Sequence, residues 1–374
     1  MVFVTKISHF WLCYFFVRLF YLFFTIFVFE RFTRLGDTRR YLWADVPFAL
    51  RIFYNSTYFM DFFIGNIGGF FRHNMIVSNF PAMLISFFII RWVVEKLQLR
   101  KYVNNRLLMI MISLPTFSIW TSVWTKELFG LVYSAIIAVL IVNFLNGNYK
   151  IRKMDILGLY LCFLFNPQFM PFIFQGLMFI YISRKFLNHK PMGQFKLAVL
   201  FLFINALFLY IIRDIVNAQA EMMHRHFDTV TARATRDNIF LEENDFFRHL
   251  PWGMFIAFFG PTLGEMLENP AHAVTGIESL FIIVLFFYLS KYIYIRGFFF
   301  SRISPIITMS YLIIIIGICF IHYPFGVFNP GAATRYRSRF IFLFIVLLLY
   351  LYGYKKEYSL IGKTKRIEKI GNQI

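Results

Sequence analysis

Three arginines alternate near the carboxyl-terminal end of the chain, at Arg335, Arg337 and Arg339. A guanidinium group donates two parallel hydrogen bonds to a phosphate, so three such groups in one stretch fit a pyrophosphate ligand. The alternative is structural, because long arginine side chains also contact lipid headgroups or extend along apolar surface to keep their charge in water. The topology derived below favours the phosphate site.

Asp37 is the first carboxylate with a candidate chemical role. It follows the first apolar run, within residues 36–41, whose sequence Gly-Asp-Thr-Arg-Arg-Tyr begins with a turn signal. A carboxylate there can take a proton from a hydroxyl group or hold a metal ion, and Arg40 and Tyr41 beside it are candidates for substrate binding. The alternative is a solvated loop in which Asp37 pairs with Arg39 or Arg40.

Glu265 and Glu278 are the later candidates for a catalytic carboxylate. Glu265 follows Gly260-Pro261, which breaks a helix, so this segment is predicted to bend toward the bilayer. Glu278 is predicted about one turn inside the next apolar run, where an ionised group is costly and is a functional hypothesis by default.

Lys126 and Glu127 follow a predicted helix that ends in Trp120 and Trp124. Tryptophans at such a position are ordinary anchors at a membrane interface. The amine of Lys126 is a candidate for phosphate binding, and Glu127 is a candidate for substrate binding. The alternative is that the lysine pairs with a neighbouring carboxylate.

Helices must position these residues, because apolar runs recur along the whole chain. Hydrophobic residues make up 59% of the 374 and charged residues only 15%, against about 25% charged in soluble domains. We predict an all-α, polytopic transmembrane bundle of about ten spans, since a helix crosses the bilayer in roughly 20 residues. The spans are 8–29, 75–94, 107–124, 128–146, 156–166, 168–183, 197–212, 275–291, 304–322 and 340–354. The fifth and sixth are predicted to be short or re-entrant helices.

The lysines predict which side of the membrane each loop faces. Cytoplasmic loops are enriched in lysine and arginine, and 14 of the 15 lysines are cytoplasmic together if both termini are, with Lys126 as the exception. The chain is then one membrane-embedded domain, 1–354, with a basic cytoplasmic tail, 355–374. The third outer loop is predicted to carry a surface helix from Val216 to about Asp237. The outer loops are about 30–74, 125–127, 213–276 and 323–339.

The net charge of +19 does not indicate nucleic-acid binding, since the basic residues lie in short clusters between apolar runs. The three cysteines lie inside apolar runs, where we predict neither a disulfide nor a metal site. No cofactor is predicted. A divalent metal ion is compatible with the sequence but not indicated by it.

Together and in this order, the four stretches resemble the bacterial membrane polysaccharide polymerases and related glycosyltransferases, the O-antigen-polymerase-like (Wzy-type, GT-C-like) group. The resemblance is most specific over residues 120–127 and 329–337. It implies a bacterial inner-membrane enzyme that moves a glycan from a polyprenyl-pyrophosphate carrier onto a second lipid-linked unit, outside the cytoplasm. It also implies that Arg335 and Arg337 bind the donor pyrophosphate and that Asp37 serves the acceptor. Lipid-linked oligosaccharide, membrane lipid and a chain-length regulator are the implied partners.

Two other functions fit parts of the pattern. A glycosyltransferase that adds one sugar from a polyprenyl-phosphate donor would use the same side of the membrane and similar residues. A flippase or transporter of lipid-linked oligosaccharide would instead show two related halves and charges near the bilayer midplane. We find no repeat between residues 1–190 and 191–374.

Overall fold

The computed structural model describes residues 8–32, 35, 37–68, 72, 74–187, 191–227, 236, 245–294 and 304–353. All regular secondary structure in these ranges is helical, which confirms the all-α prediction. In chain order the helices are α1 (His9–Phe32), α2 (Thr38–Trp43), α3 (Ser56–Gly68), α4 (Met75–Lys96), α5 (Asn105–Ile112), α6 (Pro115–Thr121), α7 (Lys126–Leu145), α8 (Lys153–Phe165), α9 (Met170–Lys185), α10 (Pro191–Ile211), α11 (Arg213–Phe227), α12 (Asp245–Arg248), α13 (Leu250–Phe259), α14 (Leu263–Glu268), α15 (Pro270–Tyr294), α16 (Ser304–Gly326), α17 (Pro330–Arg337) and α18 (Ile341–Gly353).

Six helices in the described ranges are long and apolar enough to cross a membrane, namely α1, α4, α7, α10, α15 and α16. Two further pairs pass the same criteria together but are bent, by 116° at the break after α8 and by 55° between α17 and α18. Counting each bent pair as one span gives up to eight crossings. The protein is a multi-pass membrane protein, and the predicted number of about ten spans stays a prediction.

The structure differs from the sequence prediction most clearly over residues 107–124. This stretch is two short helices, α5 and α6, separated at Ser113-Leu114, instead of one span. Pro115 at the first turn of α6 explains the break, because proline cannot continue the preceding helix but suits the start of a new one. Thr121, at the end of α6, accepts a hydrogen bond from Arg18 of α1, which ties the short helix to the first span.

Helix α7 lies at the centre of the bundle. Most of its residues are buried, including the polar residues Glu127 and Ser134. A helix that is apolar on every side is expected in a core rather than at a surface. Close packing supports this position, for example the stacked rings of Phe129 on α7 and Phe165 on α8, 5.1 Å apart.

Helices α1 and α10 lie at the periphery. Large apolar side chains cover their outer faces, such as Phe16 and Phe20 on α1 and Phe203 and Phe208 on α10, each more than half exposed. Such a surface would aggregate in water but is expected where a helix contacts lipid.

Four described lysines of the predicted cytoplasmic clusters and the arginine triplet lie at opposite ends of the bundle. At one end, Trp11 donates to Glu95 at 2.6 Å and Tyr350 donates to Asn146 at 2.5 Å, which joins the start of α1 and the ends of α4, α7 and α18. Lys96, Lys153 and Lys185 lie at helix ends there and Lys150 lies in the loop between α7 and α8, so we call it the lysine end.

The opposite end joins the last turns of α1 to the first turns of α4, α7 and α15. Phe29 packs edge-to-face on Trp120 at 5.9 Å, and the backbone N–H of Trp124 donates to Asn79 at 2.9 Å. Because Arg335 contacts Glu127 there, we call it the arginine end.

Two predicted regions are described only in part. The polar helix predicted from Val216 overlaps α11, which ends at Phe227, and residues 228–235 and 237 lie outside the described residues. The predicted tail, 355–374, and Gly36 of the first predicted loop also lie outside them.

Candidate functional site

A cavity of about 260 Å³ opens at the arginine end. Its lining combines aromatic rings, amides, an imidazole, hydroxyl groups and one guanidinium group, and none of its lining side chains is acidic. The lining residues are Phe29, Thr116, Trp120, Asn269, Ala271, His272, Thr275, Asn329, Gly331, Ala332, Thr334, Arg335 and Tyr336.

Helix α17 positions the arginines. Asn329 caps its start by accepting from the N–H groups of Gly331 and Ala332 at 2.7 and 3.2 Å, and Pro330 occupies the first helical position. Residues two apart on a helix face different directions. The alternating arginines therefore do not form one patch, because Arg337 faces away from Arg335 and Arg339.

Arg335 is the arginine that lines the cavity. Its Nε donates to Oε1 of Glu127 at 3.0 Å, and its guanidinium lies 5.4 Å from the centre of the Trp120 ring. The side chain is 20% exposed. Within the described part of the chain, no protein group accepts a hydrogen bond from its two terminal nitrogens. The Nε atom of Arg335 is thus bound to Glu127, and the two terminal nitrogens are able to donate to a ligand.

Glu127 is fully buried and holds two of the three arginines. Besides Arg335, its Oε1 accepts from Nη2 of Arg339 at 2.9 Å. Arg339 also contacts the side chain of Asn166, in the bend between α8 and α9. Among the described residues the other oxygen, Oε2, has no hydrogen-bond partner. Glu127 therefore fixes the orientation of both guanidinium groups.

Arg337 and Glu278 form a separate ion pair at 2.8 Å, in which each side chain is about 1% exposed. Arg337 also donates to the carbonyl oxygen of Phe258 and to Ser279, both at 2.7 Å. Glu278 accepts from the backbone N–H of Thr116 at 2.6 Å and from the hydroxyl of the same residue. A buried ion pair needs such additional hydrogen bonds to offset the loss of hydration. Both groups are occupied by protein partners.

Glu265, like Glu278, accepts hydrogen bonds from protein groups. Its side chain accepts from the backbone N–H of Thr262 at 2.8 Å, and this reciprocal capping box begins α14. It also pairs with Arg236 at 2.6 Å, and Arg236 donates to the carbonyl oxygen of Val327 at 2.8 Å. The contacts of Glu265 therefore connect α14 to the segment that precedes α17.

Asp37 and Tyr41 lie beside the cavity residues. The hydroxyl of Tyr41 donates to Asp37 at 3.3 Å. Burial raises the pKa of Tyr41 well above its ordinary value, and Asp37 adds to the shift. Tyr41 is also close enough to Glu127 and Arg335 to interact with them electrostatically, so α2 and α17 contribute to one polar region.

Arg40 connects Asp37 to a carboxylate that the sequence did not single out, Asp61 on α3. The guanidinium lies 3.9 Å from Asp37 and 3.5 Å from Asp61. Burial raises the pKa of the Asp61 carboxyl, and the charge of Arg40 offsets this only in part. Lys126 interacts electrostatically with Asp61 and donates to Ser56 and Thr57 at 3.2 and 2.8 Å. Asp37, Arg40, Asp61 and Lys126 form what we call the acidic cluster.

The structure therefore brings the candidate residues to one end of the bundle but gives them different surroundings. Arg335 lines the cavity, and Asp37, Tyr41 and Lys126 are close enough to Arg335 to interact with it electrostatically. Three buried carboxylates are bound to arginines, and they are Glu127, Glu265 and Glu278. All three arginines of the triplet are bound to carboxylates, Arg335 and Arg339 to Glu127 and Arg337 to Glu278. Among the described residues, no group of three or more His, Cys, Asp or Glu side chains could hold a metal ion.

Sequence analysis assigned no role to Asp61 or to the polar cavity residues Asn269, His272 and Asn329. Asp61 lies among aromatic residues in the first predicted outer loop. A single carboxylate in an aromatic run could have been identified from the sequence as a candidate functional residue. The two asparagines each precede a proline, in Asn-Pro pairs that begin α15 and α17. That repeated helix start was visible, but nothing in the sequence places the two starts together.

No family model matches the chain, and neither a curated protein nor a solved structure matches it.

Proposed function

We propose that the protein is a membrane polysaccharide polymerase. It would transfer a glycan from a polyprenyl-pyrophosphate carrier onto a lipid-linked acceptor, at the outer, periplasmic face of the bacterial inner membrane. The observation that carries the proposal is the cavity at the arginine end. There the terminal nitrogens of Arg335 have no partner among the described residues and lie beside polar and aromatic side chains.

The cavity supports binding of the pyrophosphate end of the donor. Arg335 supplies a fixed cation, and the starts of α15 and α17 lie in the same lining, where the partial positive charge of a helix start favours anions. Such preorganised groups stabilise the charge that develops on a leaving pyrophosphate without solvent reorganisation. Lys126 is a second cation beside the site.

In this proposal Arg337 and Arg339 have a structural role and do not bind the ligand. Their guanidinium groups are held by Glu278 and Glu127, so they position α17 instead of contacting phosphate. The pyrophosphate role that the resemblance implies for both Arg335 and Arg337 is therefore assigned to Arg335 alone. Glu278 and Glu265, with their lone pairs occupied by protein donors, act as positioning residues.

The acidic cluster would receive the acceptor. The acceptor hydroxyl oxygen forms a bond to the anomeric carbon of the donor sugar while the bond from that carbon to the pyrophosphate oxygen breaks. The lipid pyrophosphate leaves, and a carboxylate takes the hydroxyl proton. Asp37, the more exposed carboxylate of the cluster at 44% of its side chain, is assigned this general-base role, which contributes about 10²–10⁴-fold in comparable reactions.

The separation of the two ends supports the proposed orientation. Cytoplasmic loops carry the excess of lysine, so we place the lysine end and both termini in the cytoplasm. The arginine end then faces the periplasm, where it would meet lipid-linked oligosaccharide. The charges that we assign to binding lie at that end and not at mid-bundle, which favours an enzyme over a transporter.

Deletion of the gene followed by complementation tests the proposal. The surface glycan is separated on a ladder gel after complementation with wild type, Arg335→Ala or Asp37→Asn. We expect single repeats without long chains in the deletion and in both variants, with full ladders in wild type. The matched controls are Arg39→Ala, an exposed arginine at the same end paired with Glu30, and Asp214→Asn, an aspartate with an 80% exposed side chain on α11.

Other outcomes would replace the proposal. Loss of one sugar from every repeat would indicate a single-sugar glycosyltransferase. Accumulation of lipid-linked units on the cytoplasmic side would indicate a flippase. A full ladder from Arg335→Ala would show that the cavity has no role in chain growth.

A further inference from the structure

We propose that the cavity at the arginine end binds the sugar residue that is attached directly to the donor pyrophosphate, and that His272 and Asn269 recognise its hydroxyl or amide groups. This inference rests on the proposed function and adds a sugar subsite to it. Both residues line the cavity at the start of α15, but neither side chain has been given a role in binding the pyrophosphate, and neither belongs to the acidic cluster.

The imidazole of His272 is available for such recognition. It lines the cavity in the first turn of α15, and within the described ranges it has no hydrogen-bond partner. A neutral imidazole offers one donor and one acceptor, which suits a sugar hydroxyl. The three threonine hydroxyls in the lining differ from it. Thr116 already donates to Glu278, and Thr275 and Thr334 donate to carbonyl oxygens of their own helices at 3.0 and 2.8 Å.

Asn269 is held in a defined orientation. Its side-chain oxygen accepts from the backbone N–H of Ala271 at 2.9 Å and thereby caps α15. With the oxygen fixed toward the helix, the amide NH₂ group is the end that remains to donate to a ligand. A polar group that is fixed before binding loses little freedom on contact.

Size and shape favour one sugar with its phosphate. At about 260 Å³ the cavity lies below the range of roughly 300–1,000 Å³ that holds drug-sized ligands, so it cannot enclose a whole oligosaccharide repeat. Phe29 and Trp120 form an apolar wall that suits the C–H groups of a sugar ring, and Arg335 lies on the same wall.

The described lining of the cavity favours the donor sugar over the acceptor sugar. An acceptor hydroxyl needs a carboxylate within hydrogen-bond reach to take its proton, and none of the described lining residues carries one. An anionic pyrophosphate would be repelled by a carboxylate and attracted by Arg335. The donor end therefore fits this cavity, and the acceptor fits the acidic cluster.

Binding of defined probes to the purified full-length protein in lipid nanodiscs tests the inference. The probes are farnesyl pyrophosphate and its conjugates with a single hexose or a single N-acetylhexosamine at the terminal phosphate. We expect at least one conjugate to bind wild type about tenfold more tightly than farnesyl pyrophosphate, the gain of roughly one hydrogen bond to a polar group.

The variants separate the sugar from the phosphate. His272→Ala and Asn269→Ala are expected to lose the preference for the conjugate while retaining the affinity for farnesyl pyrophosphate, which also shows that they are folded. His272→Gln, which keeps a donor and an acceptor, is expected to retain part of the preference. Arg335→Ala should weaken all probes, and His9→Ala, an exposed histidine at the lysine end, should change nothing.

Two results would overturn the inference. Equal affinity of wild type for all probes would show that the cavity recognises no sugar, and an equal loss for every probe in His272→Ala would assign that residue to the phosphate. Both leave the proposed function standing. If wild type binds no lipid pyrophosphate of any kind, the proposed function fails together with the inference.

Discussion

Arg337 and Glu278 form an ion pair with almost no exposed surface. Breaking such a pair leaves an uncompensated charge, whereas replacing both partners with apolar residues is often neutral or stabilising. Glu278→Ala and Arg337→Met are each expected to destabilise the protein by about 3–5 kcal/mol, and the double variant Glu278→Leu/Arg337→Met to lie near wild type. Unfolding in nanodiscs measures this. Full stability of Glu278→Ala with complete loss of activity would instead indicate that Glu278 contacts substrate.

Arg335 combines two tasks that lysine cannot perform together. Its Nε is bound to Glu127 while its terminal nitrogens are directed elsewhere, and a lysine has a single nitrogen for both. Arg335→Lys is expected to weaken farnesyl pyrophosphate binding about tenfold, comparable to loss of one charge-assisted hydrogen bond. The matched change Arg39→Lys should leave the dissociation constant unchanged. An unaltered constant in Arg335→Lys would show that only the charge matters.

At the level of helices, Gly130 allows α7 to approach the turn between α17 and α18. A Cβ atom at this position would lie 2.6 Å from Cβ and 2.9 Å from Cα of Arg339, too close without movement of the backbone. Gly130→Ala is therefore expected to displace Arg339 from Glu127 and to cost roughly 1–3 kcal/mol. Gly264→Ala is the matched control, because no atom lies within 4 Å of its added Cβ. Equal free energies of unfolding for the two variants would contradict this close packing.

The start of α14 provides a second test between helices. Thr262 caps this helix and shares Glu265 with Arg236. Thr262→Ala is expected to lower the free energy of unfolding by about 1 kcal/mol, whereas Thr262→Ser keeps the capping oxygen and should lie near wild type. Proteolysis near residues 262–268 reports local opening. The interpretation would be contradicted if serine and alanine behaved alike.

Single helices were predictable because their signals are local. The apolar runs for α4, α7 and α16 fix their approximate bounds, and Asn166-Pro167 marks the bend after α8. The ion pairs were not predictable, since Arg335 and Glu127 lie 208 residues apart and Arg337 and Glu278 lie 59 apart. Spacing along the chain holds no information about such contacts. The three arginines therefore looked equivalent in the sequence, whereas their partners make them different.

For the whole molecule, the decisive feature is the separation of the lysine end from the arginine end. The proposal needs the arginine end outside the cytosol, since lipid-linked repeats are to be joined there. Leu267, 90% exposed on α14, and Asn148, exposed beyond the end of α7, mark the two ends. Each is suited to a single cysteine, once Cys13, Cys162 and Cys319 are replaced.

Labelling of these cysteines with a membrane-impermeant maleimide in spheroplasts is the most direct test. We expect Leu267→Cys to react in intact spheroplasts and Asn148→Cys to react only after permeabilisation. The reverse pattern would place the cavity and the acidic cluster in the cytosol and contradict the proposed polymerase.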